Sequence, residues 1–423
     1  MMPNLRSLIP AFCREPYRLF FPLGVLMGSV GAGHWLFYWL KWMPNYSAFF
    51  HSSLQILVYM NCFIIGFLMT AVPRFTMTRP ATAGEVAGAL FVLLGIAGFL
   101  SLEQWVAAEG CYILWLALLA RFALVRIAQR PRHTGGQAPL ELVWVPIAVL
   151  HGVVGTLVLM LGQLKVLPLW ALKVGKPMMD QGFLLCIVLG VGGFLIPRIM
   201  GTYPSVPPLH NGHDEEDCHA RTVPVHRPAG DIRYYLAGGL LILLSFWIEG
   251  LGWPRWGYIL RAGVATAVFL RTGALKWPRF SDLYIRLTWV SVWMTLLGFW
   301  LAGIFVDYNI VMLHISFIGG FSLMTFAIAT MVTMSHAGQA ENLRKPLWVL
   351  WVVGLGLALA VMKRTMLIAY PDAYFRMLGL AAAFWIFAGL CWLAFALPLV
   401  LKIPNQDEFE KMHEEAKKRM GGS

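Results

Sequence analysis

A chain of 423 residues that is 59% hydrophobic and 13% charged carries more apolar surface than a water-soluble core of its length can hide, which excludes an ordinary globular enzyme. Its formal charge of +12 is spread as Lys and Arg between apolar runs, a membrane-orientation pattern that argues against nucleic acid and for lipid as the partner. Six cysteines without a Cys-x-x-Cys pair argue against a disulfide scaffold and against covalent c-type haem attachment.

Apolar runs of about 20 residues suit helices and are too long for the roughly ten-residue strands of a membrane barrel. The chain therefore reads as an all-α integral membrane protein of about twelve transmembrane helices. They are predicted near residues 17–41, 52–73, 84–105, 108–128, 140–163, 180–200, 232–251, 256–275, 284–303, 309–334, 346–368 and 374–401. The first run lacks a small-residue cleavage site and reads as a retained helix. The seventh and eighth, around Trp253 and Pro254, also read as one bent element. With the N-terminus inside, 24 of the 33 Lys and Arg fall on the cytoplasmic side, Arg126, Arg130 and Arg132 among them, and an even span count places both termini in the cytoplasm. A long loop divides the chain into a first six-helix half (1–200), a cytoplasmic His/Cys/acid-rich loop (201–231), a second six-helix half (232–403) and a charged cytoplasmic tail (404–423). No internal sequence repeat links the halves.

Ionisable groups at membrane depth are costly and so point to function. Here they are chiefly imidazoles, the usual protein ligand of haem iron and a ligand of copper. His34, His51 and His314 fall toward the outer ends of their runs, where the three could converge. His151 sits near the middle of the fifth run, and His336 ends the tenth on the cytoplasmic side. His314 and His336 are 22 residues apart, so a continuous helix puts them on nearly one face but roughly 33 Å apart, too far to share an iron. An interhelical hydrogen bond is the plainer explanation of a lone intramembrane His, above all for His34 and His151. The loop carries His210, His213, Cys218 and His219, a metal-binding composition whose spacing fits no closed zinc site and which a solvated loop also explains. There is no P-loop, no Gly-x-Ser-x-Gly, no His-Glu-x-x-His and no mid-helix carboxylate pair, so hydrolase and primary-pump readings lose their support. A cofactor-free twelve-helix secondary transporter, with breaks at Pro73, Pro146 and Pro197, stays open, as does an assembly factor for a respiratory oxidase.

Three stretches resemble the NnrS family of haem- and copper-containing bacterial inner-membrane proteins associated with the response to nitric oxide. The first is Glu15-Pro16-Tyr17-Arg18-Leu19-Phe20-Phe21. The second runs from His51 to Gly66-Phe67-Leu68-Met69-Thr70-Ala71-Val72-Pro73. The third runs from His314 through Gly319 and Met324 to His336-Ala337-Gly338. Where the family opens its second motif His-x-His-Glu-Met, this chain reads His51-Ser52-Ser53-Leu54-Gln55. Met331 stands where the family has Arg, Gln339 ends the third motif in place of Arg, and Ser291 stands where another His is expected. The departures remove an imidazole, a carboxylate and a guanidinium of the kind that anchors haem propionates. The resemblance implies haem b, with copper as a second cofactor, held by His51, His314 and His336, with His34 and His151 as further candidates. It also implies a bacterial inner-membrane location, respiratory-chain partners, and a role in nitric oxide response or respiratory metal handling.

Overall fold

The computed structural model describes residues 5–131, 139–203 and 230–402. The His210, His213, Cys218 and His219 segment and the charged tail lie outside the described residues. Within them, eleven helices are long and apolar enough to cross a membrane. They are Tyr17–Trp39, Ala48–Thr76, Ala83–Ser101, Trp105–Ala128, Leu140–Gln163, Trp170–Ile199, Ile232–Gly250, Leu283–Ile304, Val306–His336, Trp348–Thr365 and Pro371–Leu401. A further helix, Pro254–Thr272, has spanning length but carries Arg255, Arg261 and Arg271, which lower its apolar content. It follows Ile232–Gly250 after a short turn at Gly252 (φ +95°), packs on that helix and on Leu283–Ile304, and completes a set of twelve. Pro254 begins it, where a missing N–H costs nothing. The region around Trp253 is therefore a hairpin of two helices, the seventh and eighth spans, and not one bent element.

The sixth span starts ten residues before its expected start at 180, at Trp170. Lys173, Lys176, Pro177 and Asp180 make that stretch look like a loop. The helix runs through because Lys176 and Asp180 pair across one turn at 2.5 Å and because a π-helical segment, Met178–Gly182, follows Pro177 directly. The second and tenth spans hold similar segments, Leu54–Met60 and Ile315–Ser322.

The second, sixth and tenth spans are 29, 30 and 31 residues long, and their apolar stretches are 83%, 67% and 72% buried, against 56% or less for the other eight candidate spans. They form the inner layer. Packing repeats with a period of four. The first span packs on the second as the fifth does on the sixth and the ninth on the tenth; the third packs on the fourth as the seventh does on the eighth and the eleventh on the twelfth. Contacts of the fourth with the fifth, the eighth with the ninth and the twelfth with the first close three four-helix units into a ring.

Glycine permits the close crossings inside the units. A Cβ on Gly155 would lie 2.6 Å from the Met179 backbone nitrogen, and one on Gly298 would lie 2.5 Å from that of Ser316. The same kind of contact thus joins the fifth span to the sixth and the ninth to the tenth, as small-residue packing does in bilayers. Gly155→Leu is expected to destabilise the detergent-solubilised protein by about 1–3 kcal/mol, the usual cost of overpacking. Gly95→Leu, where the added side chain starts in open space, is the control and should melt with the wild type in a thermal unfolding assay.

Candidate functional site

At the end of the bundle away from the termini, the inner spans surround a chamber of about 630 Å³. Pockets for cofactors and small molecules run roughly 300–1,000 Å³. His51 lies just before the π segment of the second span and His314 just before that of the tenth. Lys176 holds the corresponding place in the sixth, with Asp180 inside the segment. Both imidazoles line the chamber, as do Lys176 and Asp180. A π turn widens the helix and re-aims the residues beside it, which is why such turns recur at functional sites.

Each chamber imidazole is fixed by its own backbone neighbourhood. His51 Nδ1 donates to the Gly31 carbonyl at 2.8 Å, and His314 Nδ1 donates to the Ile310 carbonyl at 2.6 Å. A carbonyl only accepts, so Nδ1 carries a proton in both rings, and in the neutral form of each ring the Nε2 lone pair is left for a ligand. Among the described residues, no group of three or more His, Cys, Asp and Glu side chains converges as a metal site.

Ion pairs surround this pair of rings. Besides Lys176 and Asp180, the fully buried Arg261 of the eighth span pairs with Glu249 of the seventh and donates to Gln181 Oε1 of the sixth at 2.5 Å. Gln181 and Glu249 both reach the chamber wall. Arg364, at the end of the eleventh span, also lines it and is 8% exposed.

The structure does not bring the other two outer or central histidines into the chamber wall. His34 accepts a hydrogen bond from the Ser47 backbone N–H at Nε2 and packs against Trp35 and Phe50. His151 is fully buried, donates from Nδ1 to the Ile147 carbonyl at 2.8 Å, and lies beside Cys186 and Phe246.

His336 belongs to a second cluster at the terminal end. Glu15 Oε2 accepts from Arg18 Nε at 2.6 Å, and Oε1 accepts from Arg74 Nη2 at 3.0 Å. Arg74 also donates to His336 Nε2. That leaves the proton on His336 Nδ1, which lies 3.0 Å from Glu15 Oε1. Arg18 Nη1 reaches the carbonyls of Val400 and Lys402 at 2.8 and 2.9 Å. One carboxylate thus ties the start of the first span to the ends of the second, tenth and twelfth. Both ring nitrogens of His336 are engaged, and the π segment between His314 and His336 removes the shared face expected of a continuous helix.

The stretches that carried the resemblance meet at both ends of the molecule: Glu15, Arg74 and His336 at one, His51 and His314 at the other. Residues absent from the sequence reading are Arg364, Lys176, Asp180 and the Glu249, Arg261 and Gln181 set. The signal that marks them is charge on the side where the orientation rule disfavours it.

These features define a polytopic all-α membrane protein with two imidazoles and buried ion pairs gathered in an inner chamber. The NnrS protein family model matches residues 11–403, nearly the whole chain, and the chain belongs to that family. No curated protein matches it.

Burial raises the Glu15 carboxyl, but the hydrogen bond from His336 and the charges of Arg18 and Arg74 outweigh burial and hold it at about 2. A carboxyl held below its unfolded value of 4.5 contributes stability that is present above that value and is lost as pH falls toward about 2. Glu15→Gln, which leaves buried cations without their anion, should cost about 3–5 kcal/mol at pH 7. Thermal melts from pH 6 to pH 3 should show the gap between wild type and variant narrowing as the carboxyl becomes protonated in the unfolded chain while it stays ionised in the fold.

Proposed function

We propose that this NnrS family member binds haem b in the far-end chamber, in the bacterial inner membrane, and takes part in nitric oxide response or respiratory metal handling. One observation carries the reading: two imidazoles on different inner spans, each anchored through Nδ1, line a single chamber of about 630 Å³. His51 and His314 are the residues that would hold the iron. When bound, haem iron supplies coordination of a diatomic gas and one-electron transfer. The protein's part is to fix the tautomer and orientation of both rings, to wall the chamber with largely apolar side chains such as Phe317 and Trp385, and to keep buried charges neutralised around it.

The donor set favours iron held in a macrocycle over a bare copper ion, since two imidazoles with no third converging ligand among the described residues suit a metal whose remaining positions are already filled. His336 stands outside this ligand set because both its nitrogens serve the terminal cluster. The transporter alternative draws on the same chamber, with Lys176 and Asp180 as its charged lining.

The test is an oxidised and dithionite-reduced optical spectrum of detergent-purified protein, with pyridine haemochrome and iron and copper analysis on the same sample. A stoichiometric b-type signal is expected. His51→Ala and His314→Ala should each reduce or shift the Soret band, while His34→Ala and His336→Ala leave it unchanged per folded protein. Protein from haem-replete cells that contains neither iron nor copper would refute the haem reading and favour the transporter.

The cytoplasmic placement of both termini rests on the excess of Lys and Arg at the terminal end. A single cysteine introduced at Trp42 should react with a membrane-impermeant maleimide from the outside of intact cells, and one at Gly338 only after permeabilisation. The reverse pattern would invert the orientation.

A further inference from the structure

Among the described residues, the buried cations have carboxylate partners, with one exception. Arg18 has Glu15 and backbone carbonyls. Arg126 grips Glu85 through two nitrogens at 2.9 and 2.7 Å. Arg261 has Glu249 and Gln181, and Lys176 has Asp180. Arg364 has no carboxylate partner among the described residues. Its Nε and Nη1 are buried and without a hydrogen-bond partner. A guanidinium with two unpaired nitrogens at membrane depth is costly, because the donors have lost water and gained nothing.

The place of Arg364 says what would satisfy it. It lines the same chamber as His51 and His314. Neither ring offers it an anion, since a histidine side chain is neutral or cationic. The carboxylates on the chamber wall, Asp180 and Glu249, are taken by Lys176 and Arg261. Among the described cations of the chamber wall, Lys173 is exposed, and Arg364 is the buried one left without a carboxylate, in the form of the side chain best suited to such a partner.

We propose that Arg364 is the anion anchor of the chamber and takes a carboxylate of the ligand bound there. Under the haem reading, on which this identification of the ligand rests, the carboxylate is a propionate of the macrocycle; otherwise it is a small free carboxylate.

The experiment uses the full-length protein in detergent, freed of bound haem, as wild type, Arg364→Gln and Arg364→Lys. Each is titrated with haem and with haem dimethyl ester, whose propionates are blocked, and followed at the Soret band. Wild type should prefer haem over the diester by roughly ten- to a hundredfold, the scale of hydrogen bonds to a charged group. Arg364→Gln should abolish that preference while leaving diester affinity unchanged, and Arg364→Lys should restore part of it. Equal binding of haem and diester by wild type, or an undiminished preference in Arg364→Gln, would overturn the anchor. If neither porphyrin gives a Soret change, the haem reading fails and calorimetric titration with sodium benzoate decides the anchor separately. Benzoate binding that is lost in Arg364→Gln supports a free-carboxylate site, and no Arg364-dependent binding overturns it.

Discussion

The hydrocarbon layer offers no water to polar groups, and this one constraint organises the rest of the molecule. Helices satisfy their own backbones, but a charged side chain must find its partner inside the bundle. The polar residues of this chain are accordingly concentrated where three long inner spans face one another and at the two ends of those spans. Even single hydroxyls follow the rule: Thr70, Thr156 and Thr330 each donate to the carbonyl four residues earlier. At the chamber satisfaction of this kind stops short for a cation, since Arg364 keeps two guanidinium nitrogens without a hydrogen-bond partner beside the two imidazoles of the wall.

The two polar ends are built differently. At the terminal end, Glu15 closes a compact network with Arg18, Arg74 and His336, so that four spans are held by mutually satisfied groups. At the other end, paired charges line a space and leave room within it. A satisfied network rigidifies, whereas a partly satisfied one is where a ligand gains most by binding. The same pair of inner spans, the second and the tenth, contributes to both ends. A clamp at one end of these spans thus supports the geometry of the rings at the other.

The helical class, the membrane and the family were legible in the sequence because they depend on long apolar runs and on local motifs around His51, Pro73, His314 and His336. The start of the sixth span was not, since hydropathy counts Lys176 and Asp180 as two charges when the fold makes them one neutral pair. Arg261 misled in the same way, hiding its partners Glu249 and Gln181 in other helices. The fourfold spacing of contacts escaped notice as well: lipid-facing positions accept almost any apolar residue, so a repeated architecture need leave no repeated sequence. Arg364 was visible as a cation on the disfavoured side of the bilayer. Its importance lies in the absence of a partner, and only three-dimensional neighbours can reveal an absence.

The π segments give the inner spans a property that straight helices lack. Each wide turn delays the helix by roughly 100° relative to an uninterrupted α-helix, equivalent to one extra residue. In the second span this delay falls between His51 and Arg74, and in the tenth between His314 and His336. The segments therefore act as phase-setters, fixing the rotational offset between what a span shows at one membrane face and what it shows at the other. Loss of a single residue there would keep both spans helical and apolar, yet turn one end away from its partners.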